Sequence, residues 1–288
     1  MDQNQPLRPT SIEPAPAFSL QPVTRKRAGT EAAGIGVVLL ALLAKLKTVL
    51  FFLAQFKWLL FLGKFALTGG SLLLSIWAWA LYFGWPFAAG FIALIFVHEM
   101  GHVIALRARG IKSGWPVFIP FMGAFVNMHE MPRDAKTEAE VGIAGPLFGA
   151  LGGFAAYLVA THTNNQFWYA LASLTFVVNL FNLIPVVPLD GGRVVAALSP
   201  KIWVVGIALL VGVFLLRPGP GMLFAGLLIV LTIPRIVAAF KRGAAADPYY
   251  QIAPKDRALI AVEYFALAGF LAVMWTVAGH AVRVAGTS

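Results

Sequence analysis

The residues most able to do chemistry in this chain are five in a row, His98-Glu99-Met100-Gly101-His102. An H-E-x-x-H run on a helix puts two imidazoles at i and i+4, on one face, where both can close on one metal ion. Glu99 falls one step round, where its carboxylate can reach a water on that metal instead of the metal itself. A Lewis acid beside a base is the apparatus of hydrolysis. Catalytic zinc takes three protein ligands and keeps a further position open. The chain has no cysteine, so the third ligand must be another histidine or a carboxylate.

Elimination narrows that ligand. Of the twelve acids, Asp2, Glu13 and Glu31 lie in the N-terminal tail, and Glu130, Asp134, Glu138 and Glu140 gather at a charged boundary. Asp247 and Asp256 lie in a polar stretch, and Glu263 about one turn inside the last helix. Apart from Glu99, only Asp190 is flanked on both sides by membrane-type sequence. Pro185 and Pro188 precede it and Gly191 and Gly192 follow it, so the helix breaks there and can aim a carboxylate inward. Other readings stay open at this point. Asp190 could cap a helix starting at Gly191 or pair with Arg193. His98 and His102 could be polar helix–helix contacts. His129 and His162 are rival ligands, placed in connections.

The elements that must position these residues are membrane helices. The chain is 59% hydrophobic and 12% charged, against about 25% charged in ordinary soluble domains. Candidate spans lie near 35–62, 66–83, 86–106, 139–160, 167–187, 202–216, 222–240 and 258–280. The first is interrupted by Lys45, Lys47 and Lys57 and could instead lie at the interface. Residues 202–240 read as a helical hairpin around Arg217-Pro-Gly-Pro-Gly221. Residues 113–128 are apolar but broken by Pro116, Pro120 and Gly123, which predicts a re-entrant strand or hairpin. The fold class is thus an all-α polytopic membrane protein of about six to eight transmembrane helices, with that hairpin near the active site.

The expected organisation is a polar, disordered tail over 1–34, a spanning or interfacial segment over 35–65, and a catalytic transmembrane core over 66–200. Further transmembrane helices follow over 201–288, with a polar connection near 241–257. The tail lacks a signal-peptide pattern, and neither polar stretch has room for an appended domain. The formal charge is +10. Its Lys and Arg residues are spread over connections with no aromatic-lined groove, which argues against nucleic acid and for the lipid bilayer as partner.

Both motifs resemble those of the site-2 protease family of intramembrane zinc metalloproteases. That family pairs H-E-x-x-H with N-x-x-P-x-x-P-L-D-G on a later helix, matched here by Asn182-Leu-Ile-Pro185-Val-Val-Pro188-Leu189-Asp190-Gly191. Gly142-Ile-Ala-Gly145-Pro146 also resembles a family glycine motif. The resemblance implies one zinc ion per chain on His98, His102 and Asp190. It implies Glu99 as general base and Asn182 as a catalytic polar group near the scissile carbonyl. The expected substrate is a transmembrane protein helix, cut in regulated intramembrane proteolysis after local unwinding. The segment Phe121, Met122, Gly123, Ala124 and Phe125 would receive the unwound strand by edge pairing. The positive-inside rule puts the active site toward the cytosolic leaflet of a multi-pass membrane protein, in the plasma membrane if the source is bacterial. The competing reading is a non-catalytic membrane scaffold or transporter that retains a metal site. Neither reading fixes an oligomeric state.

Overall fold

The computed structural model describes residues 69–216, 221–242 and 247–285, all within the unit Phe61–Ser288. The expectations for the tail 1–34 and the segment 35–62 lie outside the described residues, as does most of the 217–221 turn. The described chain is mainly helical with one two-stranded sheet. Helices α1 (Ser71–Phe83) and α2 (Trp85–Ala108) meet at Gly84, whose φ of 79° suits a residue without Cβ. The hairpin β1 (Ser113–Ile119) and β2 (Gly123–Met128) follows. Then come α3 (Ala135–Thr163), α4 (Gln166–Asn182), α5 (Asp190–Leu198), α6 (Trp203–Leu216), α7 (Gly221–Arg242) and α8 (Pro254–Ala285).

Three described helices, Trp85–Ala108, Ala135–Thr163 and Pro254–Val282, are long and apolar enough to cross a membrane. Their outward faces carry large apolar side chains such as Leu151, Phe154, Val262 and Phe265. That distribution suits lipid and not water. The buried faces are narrow and small-residued. On α3 they are mostly Gly and Ala, including Gly142, Gly145, Gly149 and Gly153. Helices α2, α4, α5 and α8 all pack against α3, which lets their side chains reach the centre of the fold.

Boundaries differ from expectation where caps or contacts extend a helix. α3 begins at Ala135 and not at 139, because the Asp134 side chain accepts from the Thr137 N–H and Ala135 and Ala139 are buried. Its far end reaches Thr163, so His162 sits in the last helical turn and not in a connection; it is exposed, as is His129. α4 stops at Asn182, three residues before Pro185. α8 spans Pro254–Ala285, longer at both ends than 258–280. At the start of α3, the Tyr249 hydroxyl donates to Glu138 Oε2 at 2.6 Å and Lys136 pairs with Asp256 at 2.9 Å. Burial, with the Glu138 carboxylate beside it, pushes the Tyr249 phenol well above its ordinary pKa, so it stays a donor.

The hairpin has a determinate register. Pro116 faces Val126, Val117 faces Phe125, and Phe118 faces Ala124. The Phe118 N–H turns away from β2 and donates to Ser71 Oγ on α1 at 3.2 Å. Antiparallel pairs alternate between bonded and non-bonded. Phe118–Ala124 and Pro116–Val126 are therefore the non-bonded pairs, consistent with a proline that has no N–H to offer. It follows that Ala124 and Val126 direct their backbone N–H and C=O outward on the edge of β2 remote from β1. The connecting turn places Pro120 second and Phe121 third with φ 63°, the type II pattern that favours glycine at the third position. The Phe121 ring packs against Trp79 and Tyr82, with centroids 5.4 and 5.6 Å away.

Candidate metal centre

His98, Glu99 and His102 project from the middle of α2, and Asp190 is the first residue of α5. The structure brings His98, His102 and Asp190 into one cluster whose ligand atoms all lie within 4.8 Å of one another. His98 Nε2 is 3.2 Å from Asp190 Oδ2, His102 Nε2 is 3.3 Å from Asp190 Oδ1, and the two Nε2 atoms are 3.2 Å apart. All are buried, with exposures of 5% for His98, 6% for His102 and 9% for Asp190. Asp190 neither caps α5 nor pairs with Arg193.

The outer nitrogens of both rings are already committed. His102 Nδ1 lies 2.8 Å from the Val141 carbonyl, to which only an N–H can donate. His98 Nδ1 lies 2.7 Å from Asn179 Oδ1, while Asn179 Nδ2 donates to the Thr175 carbonyl at 2.8 Å. That second bond orients the amide with its oxygen toward His98. In its neutral, ligating form each ring therefore carries its proton on Nδ1 and turns an Nε2 lone pair to the centre. With both rings neutral, two lone pairs and a carboxylate face one another with no hydrogen among them. The fitting group is a cation, and a mixed imidazole–carboxylate donor set suits zinc. Ligands about 2.05 Å from a tetrahedral metal stand about 3.3 Å apart, which matches the spacings above.

Asn179 and the Val141 carbonyl were not singled out by the sequence. They hold the rings as the outer partners of metal-ligating histidines do. The glycines of α3 make this approach possible. A Cβ on Gly145 would stand 2.2 Å from His102 Nε2, and one on Gly149 would stand 2.0 Å from Asn179 Oδ1.

Asp190 opens a short helix after an irregular stretch, 183–189, that is largely buried. Carbonyls here have no helix partner and must be met by side chains. Tyr264 of α8 donates to the Leu183 carbonyl, and the Thr232 hydroxyl of α7 shares its proton between the carbonyls of Val187 at 2.7 Å and Leu228 at 2.6 Å; just beyond, Trp203 of α6 donates to the Gly192 carbonyl in the first turn of α5 at 2.8 Å. Three later helices thus hold the backbone that presents the carboxylate.

A cavity of about 600 Å³ opens on the cluster. Glu99 lines it, 6% exposed, and its carboxylate makes no hydrogen bond or ion pair among the described residues. Asn182, the last residue of α4, lines it too, as do residues 121–126 of the hairpin and Arg193. His98, Glu99, His102, Asn182, Asp190 and residues 121–125 thus all line one space, whereas His129 and His162 do not.

The family model described as Peptidase family M50 matches residues 86–166 and 157–216. The chain is 29% identical over 133 residues to Zinc metalloprotease MJ0392 of Methanocaldococcus jannaschii, covering 44% of this chain and 38% of that protein. It is 32% identical over 120 residues to Stage IV sporulation protein FB of Bacillus subtilis, covering 38% of this chain and 39% of that protein. The chain therefore spans about two fifths of the length of these relatives.

Proposed function

We propose that this chain, which belongs through residues 86–216 to peptidase family M50, the site-2 proteases, is an intramembrane zinc metalloprotease that hydrolyses peptide bonds of transmembrane substrate helices. The observation that carries the reading is the buried His98–His102–Asp190 cluster with an uncommitted Glu99 carboxylate beside it, on a helix apolar enough to cross a membrane. A scaffold or transporter would have no use for a carboxylate held free next to a metal site.

His98, His102 and Asp190 would hold the zinc, which when bound supplies Lewis acidity and a water of pKa about 7. Glu99 takes the proton of the attacking water at its carboxylate and delivers it to the leaving nitrogen. Asn182 offers its amide N–H to the scissile carbonyl oxygen as charge grows there. The surrounding apolar wall strengthens these interactions by excluding bulk water.

A helical substrate hides its peptide bonds and must be extended to be cut. The outward N–H and C=O groups of Ala124 and Val126 form the free edge on which an extended segment can pair, because β1 has its own edge covered by Ser71. The side chains of Phe121, Met122 and Phe125 give the apolar surroundings. The shorter apolar helices α1, α6 and α7, together with the less apolar α4, would complete a bundle of six to eight spans. Arg107 lies in the last turn of the helix that carries the site and Arg109 and Lys112 follow it; the positive-inside rule then favours a metal site toward the cytosolic leaflet, in the plasma membrane if the source is bacterial. The role would be regulated intramembrane proteolysis.

Metal analysis and cleavage of a test transmembrane helix, on full-length protein in lipid nanodiscs, check this reading. Glu99→Gln is expected to keep about one zinc per chain and lose cleavage by at least about 10²-fold. Asp190→Ala is expected to lose both. Undiminished cleavage by Glu99→Gln would overturn the assignment.

A further inference from the structure

Among the described residues that line the cavity, Arg193 is the one charged group that the reaction above does not use. It follows Asp190 by three residues on α5 and so shares its face. It is half-buried and lines the same space as His98, Glu99 and Asn182. Its stem lies over α3, where a Cβ on Gly142 would meet Arg193 Cβ at 3.5 Å. A guanidinium is charged at any working pH. Yet among the described residues no carboxylate oxygen lies in ion-pair range of it. Asp190 is committed to both imidazoles, and Glu99 feels Arg193 only through space.

The charges of the site give the missing partner its sign. Asp190 and Glu99 together balance one divalent ion. Arg193 then leaves one positive charge in excess, in an apolar cavity where an uncompensated ion is costly. The occupant should bring one negative charge and a planar pair of oxygens to meet the guanidinium fork. A transmembrane peptide bond is neutral. Its hydrolysis makes one group of that description, the new α-carboxylate.

We propose that Arg193 is a carboxylate-binding group that holds the C-terminal carboxylate of the N-terminal cleavage product. This rests on the protease reading, and it makes apolar peptides with a free C-terminus product-like ligands of the cavity. Arg193 acts after or as the bond breaks, at the carbon that Asn182 addresses before it.

The test is equilibrium binding of one labelled apolar peptide, prepared as free acid and as C-terminal amide, to full-length Glu99→Gln protein in nanodiscs with zinc bound. The acid should bind about ten- to a hundredfold more tightly than the amide, the size of a charge-assisted hydrogen-bonded pair. Adding Arg193→Gln should bring that ratio to about one, with amide affinity and zinc content unchanged. A ratio unaltered by Arg193→Gln would mean that the metal alone reads the carboxylate and would overturn the proposal; so would equal binding of acid and amide in the parent. Should Arg193→Gln lose its fold or its zinc, Arg193→Lys takes its place. It keeps the charge without the fork, and its ratio should fall severalfold; no fall overturns the proposal. Binding is read without turnover, so failure here is distinct from failure of wild-type cleavage or zinc content, which test the protease reading.

Discussion

At the scale of single residues, the metal centre depends on an amide that touches no metal. Asn179 is held by the Thr175 carbonyl and in turn fixes the proton of His98 on Nδ1. Asn179→Leu should leave the helix intact, since leucine is a better helix former than asparagine, but weaken zinc binding about 10- to 100-fold by competitive metal titration. An unchanged affinity would show that His98 finds its tautomer unaided. The inner residues were legible in the sequence for different reasons. His98, Glu99 and His102 declare themselves by spacing within five positions. Asp190 emerged because every other acid had a more ordinary location. Asn179 gave no such signal. A polar residue in a membrane helix has many uses, and its partner lies 81 positions away in sequence.

At the scale of elements, helix α3 matters for what it lacks. Gly145 and Gly149 leave the room that His102 and Asn179 occupy. Gly149→Ala should therefore cost zinc occupancy and thermal stability together, whereas Gly212→Ala on α6, where an added Cβ meets nothing within 4 Å, should cost neither. Zinc content and melting of the two variants side by side check this. For the hairpin, Ala124→Pro removes an outward N–H and should slow substrate cleavage at least about tenfold with zinc retained, because the proline takes a donor from a docking edge and not from the β1–β2 ladder. Full activity would argue against pairing on that edge. The hairpin itself was readable from Pro116, Pro120 and Gly123, which forbid a helix. Which edge is free was not, since it depends on Ser71 of another element reaching the Phe118 N–H. Helix starts such as Ala135 were misplaced because a cap at Asp134 outweighs the apolar pattern.

At the scale of the whole molecule, the bound ion and the fold should stabilise each other. A ligand at about 1,000 times its dissociation constant adds about 4 kcal/mol to the folded state. Removing zinc with a chelator should thus lower the melting temperature of wild type, and the shift should be absent in Asp190→Ala. Composition made the membrane class plain, and three of the described helices meet the length for a span. The part played by the last third of the chain was not visible in it. Tyr264, Thr232 and Trp203 are ordinary residues in apolar stretches until the fold sets the first two against loop carbonyls and the third against a carbonyl in the first turn of α5.

Those three bonds bear on how far this molecule can be trimmed. In hydrocarbon a carbonyl released from its donor finds no solvent to replace it, so the stretch ahead of Asp190 would rearrange and swing the carboxylate off its imidazoles. A fragment ending near residue 200 would still possess every group that grips the metal, and would be unable to keep them in one place.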